Sequence, residues 1–468
     1  MGTCLRMMVA RAHGLARAAC ALALAVVVAS GCGGEDEDDV ACEAAFETCD
    51  LSELDCLSNL ADGIACMTGH DPGVPVVQSW EPDEAVEFFT PEAPTAEQMR
   101  LVQQQLDALA LFRLVPEQYS AELATEAYAV SVPAFYDVMQ GRIIVVDVEP
   151  GGTVEDGDAG GAGGESTDAG VSAPDEQTFK TYVHELVHAA RDQRTGLAAL
   201  YGRAGSVDAW LAARAVVEGE AQLFAQLAWL DAAGEDPAEM DWEALLEDFR
   251  MSMVATFVSV DAPYSLADRY LPYPYGYAYV VEAWQQGGNA AIEALYANPP
   301  ISTRAITGGF GAELSASGAP ALVASDEASP MLAQRFAPVA VLRLGAWLVD
   351  ASIQRFREAP RVDLSWSVLQ DLEGDILSLY HDADTDSPVA IWRLRFADAA
   401  SAQAMEELTA AWPPEIQSHV AGSDVILLGT GPGGPTLDAA ALEWQALTPI
   451  PRASDAVTSL VLAASPPR

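Results

Sequence analysis

The sequence predicts an α+β fold: a helix-rich core with a short strand region, followed by a small C-terminal α+β unit. Three observations carry this prediction. Long stretches around His184 and around Glu218 repeat apolar residues at helical spacing. The run Arg142-Ile143-Ile144-Val145-Val146-Asp147 is β-branched and is introduced by Gly141. Beyond residue 370, apolar or alternating runs over 376–380, 390–396 and 424–429 mix with helical patterns over 399–411 and 437–445.

Taken in order, the chain opens with Arg6, Arg11 and Arg17 ahead of an apolar run over 18–28 that ends at Ala29-Ser30-Gly31-Cys32. This reads as a signal peptide over residues 1–31, too short to span a membrane. The cleavage region resembles a bacterial lipobox, so Cys32 is expected to become the lipid-bearing first residue, although Ala29 stands where leucine is commoner. Glycines and acids over 33–39 read as a flexible tether. Residue 33 is not Asp, and the sorting tendency of lipoproteins then favours the outer membrane. Of seven cysteines, Cys4 and Cys20 leave with the leader and Cys32 takes the anchor. Cys42, Cys49, Cys56 and Cys66 remain, expected as two disulfides stapling a segment over 32–94, with a zinc cluster as the lesser alternative. His70 reads as a surface residue.

A core domain is expected over 95–330. Thr95 and Gln98 stand at capping-box spacing and open a helix reaching Val115, with Leu101, Leu106, Leu109 and Leu111 among its apolar positions. Residues 150–171 are rich in Gly and Asp and lack hydrophobic period, so they are expected as a flexible or lid-like loop. Asp156, Asp158 and Asp168 match no calcium-loop spacing.

The next helix carries the most informative motif, His184-Glu185-Leu186-Val187-His188. Residues four apart share a helix face, so both imidazoles can reach one Zn²⁺, and Glu185 can face a water on that ion as its base. At about 100° per residue, Phe179, Tyr182, Val183, Leu186, Val187 and Ala190 fall between roughly 160° and 300° from His184. The motif residues lie opposite, between about 0° and 100°. One face therefore buries while the other fronts a cleft. Ser172, Pro174 and Asp175 place the helix start near Ala173. Asp192, at about 80°, is a candidate to orient a ligand histidine, with a solvated surface charge as the alternative.

A catalytic zinc keeps three protein ligands and an open position. The helical segment from Trp210 offers Glu218 and Glu220, whose faces differ by about 200°. Glu218 shares its face with Leu211, Arg214, Ala221, Gln222 and Ala225, whereas Glu220 lies among Val216, Leu223, Phe224 and Leu227. Glu218 is therefore the expected third ligand, and Glu220 a buried acid in need of a partner such as an arginine. Gly219 and Ala221 are expected to let the two helices approach closely.

His-Glu-x-x-His followed by Glu218-Gly219-Glu220-Ala221 resembles the gluzincin zinc metallopeptidases, in which the glutamate before the glycine is the third ligand. Further likeness lies in Phe135-Tyr136-Asp137, in Asp192-Gln193, in Pro272-Tyr273-Pro274-Tyr275-Gly276 and in Pro299-Pro300 with Ser302-Thr303. Together these resemble secreted or lipid-anchored metallopeptidase-like proteins of high-GC bacteria over roughly residues 95 to 430. The resemblance implies a strand that pairs with extended substrate near the active helix, for which 142–147 is the candidate, with a plain core strand as the alternative. It also implies a tyrosine donor to the oxyanion of peptide hydrolysis. Tyr273 holds the Pro-Tyr-x-x-Gly position and is first choice, ahead of Tyr275; aromatic packing is the alternative for each. Ser302 and Thr303 most simply cap the following helix.

The C-terminal domain, expected over 331–468, shows no metal-type clustering; His381 and His419 are isolated. The formal charge of −46 excludes a basic nucleic-acid surface, and Lys180 is the sole lysine. The acidity fits an exported, soluble surface more simply than a cation-seeking one. The expected activity is zinc-dependent peptide hydrolysis outside the cytoplasm, on a peptide or protein substrate, with the membrane reached through Cys32. A catalytically weak, metallopeptidase-like binding scaffold is the alternative.

Overall fold

The computed structural model describes residues 46–49, 51, 53–89, 95–120, 133–146, 175–260, 262–312, 327–328, 336–357, 362–382, 384–435, 437, 439 and 448–449. The expected leader, Cys32, Cys42, the 150–171 loop and nearly all of 437–445 lie outside them. The fold is α+β.

Helix α1 (Leu54–Thr68) carries Cys56, which is bonded to Cys49. Cys66 is also disulfide-bonded, to a partner outside the described residues. Cys56, Leu60 and Ile64 repeat every turn and enter the main core. Strand β1 (Val76–Trp80), α2 (Pro82–Phe89) and α3 (Ala96–Leu111) follow. The expected capping box is present: Thr95 Oγ1 accepts from Gln98 N at 3.2 Å, and Gln98 Oε1 accepts from Thr95 N at 2.8 Å. The helix stops at Leu111 rather than Val115, and Arg113 then turns to a φ of 53°.

Strands β2 (Ala134–Asp137) and β3 (Arg142–Val146) form a hairpin, and β3 also pairs in parallel with β1. The order β1-β3-β2 corrects one expectation. Both edges of β3 (142–146) are occupied, so that strand has no free edge for a substrate; among the described residues β2 has one unpaired edge. Ile143 faces the main core, while Val146 joins Phe89, Trp80, Phe88 and Phe135 on the other face. This is the period of two that a strand imposes.

Helix α4 (Glu176–Thr195) begins later than its expected start near Ala173, because Asp175 is itself the cap and accepts from Thr178 N at 2.8 Å. Its stripe of Phe179, Val183, Leu186, Val187 and Ala190 is buried as read. Gly196, at a φ of 73°, ends α4 and starts α5 (Leu197–Gly202). The long α6 (Val207–Ala233) is capped by Ser206, whose Oγ accepts from Ala209 N. Lys180 bonds Gln226 while Arg191 bonds Glu220, so α4 and α6 run in opposite directions.

After α7 (Trp242–Ser259) and α8 (Pro263–Tyr270), one π turn, Pro272–Gly276, leads into α9 (Tyr277–Ala297), which is kinked at Gly287 and Gly288. The π turn crosses α6 at backbone contact. A Cβ on Gly219 would lie 2.3 Å from the Gly276 carbonyl oxygen, and one on Gly276 would lie 2.1 Å from that of Ala215. Gly219 therefore serves the approach of the π turn, not of α4 as expected. Ser302 caps α10 (Thr303–Thr307) as read.

A two-residue strand, β4 (Glu327–Ala328), precedes β5 (Ala337–Leu342), α11 (Gly345–Arg355), α12 (Val362–Leu369), β6 (Leu372–Asp382), β7 (Ser387–Phe396), α13 (Ala399–Thr409), β8 (Ile416–Ala421), β9 (Asp424–Thr430) and β10 (Thr448–Pro449). Strands β4 and β10 pair with each other, and the rest form an antiparallel sheet in the order β5-β6-β7-β9-β8. Trp392, Leu394, Val425 and Leu427 face the main core, and the alternate residues Val389, Ile391, Ile426 and Leu428 pack with Phe336 on the far face. The main core runs without a break from Phe46 to Leu427, across the composition boundaries at 94/95 and 330/331. Phe112, fully buried against Trp392, ties the segment after α3 to this sheet. Such a phenylalanine is worth about 3–5 kcal/mol against alanine. No helix among the described residues is long and apolar enough to cross a membrane.

Candidate metal centre

The antiparallel packing of α4 on α6 brings His184, His188 and Glu218 together, all buried. The two Nε2 atoms lie 3.0 Å apart, and Glu218 Oε2 lies 3.1 Å from that of His184 and 3.5 Å from that of His188. Three ligands at about 2.0–2.1 Å from a tetrahedral ion stand about 3.3 Å from one another, so the spacing fits a bound cation. Two imidazole nitrogens and a carboxylate oxygen converge on one point, and with both imidazoles protonated at Nδ1 all three turn lone pairs toward it, the donor arrangement a cation needs. The donor set therefore fits a metal ion. The other oxygen of Glu218 is taken by Arg214, at 3.1 Å and one turn earlier on α6. Burial pushes the Glu218 carboxyl up, but Arg214 and the two histidines outweigh it and hold the group well below the usual carboxylate range.

Glu185 stands beside the cluster and is buried. Burial pushes its carboxyl up to about 7, with Glu218 adding to the rise while His184 and a hydrogen bond from the Tyr136 amide oppose it. Its Oε2 has no hydrogen-bond partner among the described residues. Both histidine Nδ1 atoms are likewise buried without a partner there. Asp192 is not the orienting group it was expected to be. Its Oδ1 accepts from Leu197 N at 2.7 Å and its Oδ2 from the Tyr136 hydroxyl at 3.2 Å, so it fixes the α4–α5 turn to β2.

These residues line a cavity of about 480 Å³ whose walls include Phe135 and Tyr136 of β2, Phe249 and Met253 of α7, Arg269 and Tyr270 of α8, and Tyr273. Of the two tyrosines singled out from sequence, Tyr273 is the one at the site. Its ring lies 6.1 Å from that of His184, nearly parallel to it. Tyr275 points away, against Trp347 and Trp366. The π turn and the Gly219–Gly276 crossing set this choice, because they fix which side of the turn meets α6. Among the described residues the cavity also holds Lys180, Arg214 and Arg269 against Glu185 and Glu218 as its acids, in a chain of net charge −46.

Glu220 takes the role sequence reasoning gave it. Arg191 donates to both of its oxygens, and the Tyr296 hydroxyl donates to Oε2 at 2.5 Å. Arg191 continues to Glu293 at 2.6 Å, and His70 meets the same carboxylate at 2.8 Å, so His70 is part of a network rather than a plain surface residue. The contact of Tyr136 with Asp192 and the pairing of Arg214 were missed. Arg214 carried a readable signal, its place four residues before Glu218; Tyr136 was noted only as part of the Phe135-Tyr136-Asp137 likeness, which assigns it no partner.

Comparison of the chain with protein-family models, with curated proteins and with solved structures gives no match.

Proposed function

We propose that the protein is a zinc-dependent peptidase, and the observation that carries this reading is Glu185 beside three converging ligands on the wall of one cavity. Zinc, when bound, supplies Lewis acidity to the substrate carbonyl and makes water a nucleophile near neutral pH. His184, His188 and Glu218 would hold the ion. Glu185, buried with one oxygen unengaged, accepts the proton of the attacking water and returns it to the amine as the C–N bond breaks. Tyr273, packed on His184, donates to the carbonyl oxygen as charge develops there. The free edge of β2, whose Phe135 and Tyr136 line the cavity, offers main-chain hydrogen bonds to an extended peptide.

The proposal extends to location. A leader-like N-terminus with Cys32 and the Cys49–Cys56 disulfide together support an exported, lipid-anchored protein in an oxidising compartment. A Cys32→Ser variant that still partitions fully into membranes and labels with palmitate would remove the anchor from this reading.

One observation favours the weak-scaffold alternative. Partners on ligand-histidine Nδ1 atoms typically improve metal affinity or activity about 10–100-fold, and none is found here among the described residues. Glu185→Gln separates the two readings. We expect the variant to bind zinc with unchanged stoichiometry while cleavage of a peptide library falls about 10²–10⁴-fold. Equal cleavage by variant and parent, or no zinc in the parent, would end the enzyme reading.

A further inference from the structure

Within the zinc reading, on which this inference rests, Arg214 has no part assigned so far. We infer that Arg214 is a positioning residue of the metal centre: it engages Oε1 of Glu218 so that Oε2 alone faces the imidazoles, which leaves a coordination position open for water and substrate.

A carboxylate with both oxygens unengaged can bind one ion through both of them. Such a grip on an ion also held by His184 and His188 fills the place that a catalytic site must keep open. The structure shows the two oxygens already divided. Oε2 lies 3.1 and 3.5 Å from the two Nε2 atoms, and Oε1 lies 3.1 Å from an Arg214 terminal nitrogen. Arg214 is built to stay there. Its side chain is only 12% exposed, and its guanidinium lies 5.6 Å from the Trp210 ring centroid. The i, i+4 spacing along α6 adds a rigid backbone between the two members of the pair. A guanidinium stays charged at any working pH, so its hold on Oε1 does not depend on a titration. Arg214 also lines the cavity, beside the carboxylate it holds.

The test is cobalt(II) substitution of the full chain, because a four-coordinate site absorbs visible light far more strongly than a five- or six-coordinate one. The parent is expected to give an intense band. Arg214→Met keeps the apolar stem and removes every donor, and its absorption per bound cobalt is expected to fall at least about twofold as the second oxygen joins the ion. Arg214→Lys restores a charged donor and is expected to recover most of the band. Arg214→Gln, too short to reach Oε1, replaces the methionine variant if that one does not fold, with folding judged by its circular dichroism melt. An unchanged band in the donorless variant overturns the inference, as does a loss that lysine fails to recover or a weak band in the parent. A parent that binds no cobalt overturns the metal reading itself, which is a different result from a bound metal that ignores Arg214.

Discussion

Glu218 and Glu220 leave α6 on nearly opposite sides, and each ends among buried partners of a different kind. Glu220 meets donors only. Arg191 gives N–H groups to both of its oxygens, Tyr296 gives a hydroxyl, and the Arg191 guanidinium also lies 3.9 Å over the Tyr296 ring. Its lone pairs are saturated, and the cluster welds α4, α6 and α9 together. Glu218 meets one fixed donor, Arg214, and two imidazole nitrogens that can donate a proton to it or, once deprotonated there, share a cation with it. A saturated buried acid acts as structure, and an acid facing other bases is prepared for a cation.

The largest expected effect tests the saturated side. Glu220→Ala takes from Arg191, at 3% exposure, its buried carboxylate and leaves it only the more exposed Glu293, and should cost about 3 kcal/mol in urea unfolding of metal-free protein. Glu218→Ala under the same conditions should cost about 1.5 kcal/mol, the low end for a hydrogen bond to a charged group, since Arg214 borders the cavity. Equal costs would erase the distinction between the two faces. Metal addition should then reverse the ranking of the sites. At a zinc concentration about 100 times its dissociation constant, the parent should gain about 2.7 kcal/mol and Glu220→Gln a similar amount, while Glu218→Ala gains nothing. A gain that survives Glu218→Ala would place the ion elsewhere.

Much of this contrast was legible beforehand. Helical rotation alone separated the two glutamates and asked for an arginine beside Glu220, because local periodicity fixes which face a residue occupies. It could not say that the arginine would be Arg191, nor that His70 would reach Glu293, because those contacts join elements far apart in sequence. Three of the five strands of the C-terminal sheet, β6, β7 and β9, were found from alternating or apolar runs, while β5, β8 and the order β1-β3-β2 were not, since register and neighbour choice are tertiary. Gly219 was singled out correctly as a close-approach residue, but its partner was the π turn, whose unusual winding no apolar period announces. The Asp192 expectation failed for a similar reason: its helix angle allowed the metal side, while the nearby α5 amide and Tyr136 claimed both oxygens.

The smallest effect probes the outer end of the saturated network. Burial pushes the Glu293 carboxyl up, but hydrogen bonds from His70 and Arg191 outweigh it and leave the group below its ordinary value. A folded-state value below the unfolded one means that the contribution is present above the ordinary carboxylate range and fades as pH falls through the lowered value. Glu293 is 34% exposed, so solvent screening limits the effect to roughly 0.5–1 kcal/mol. Glu293→Gln should therefore be less stable than the parent by that amount at pH 7, and the two should converge as the pH is lowered through and below the ordinary carboxylate range. Urea midpoints at a series of pH values would show it. A gap of constant size from pH 7 to the acid limit would mean that Glu293 acts through shape alone, and that the charge network ends at Glu220.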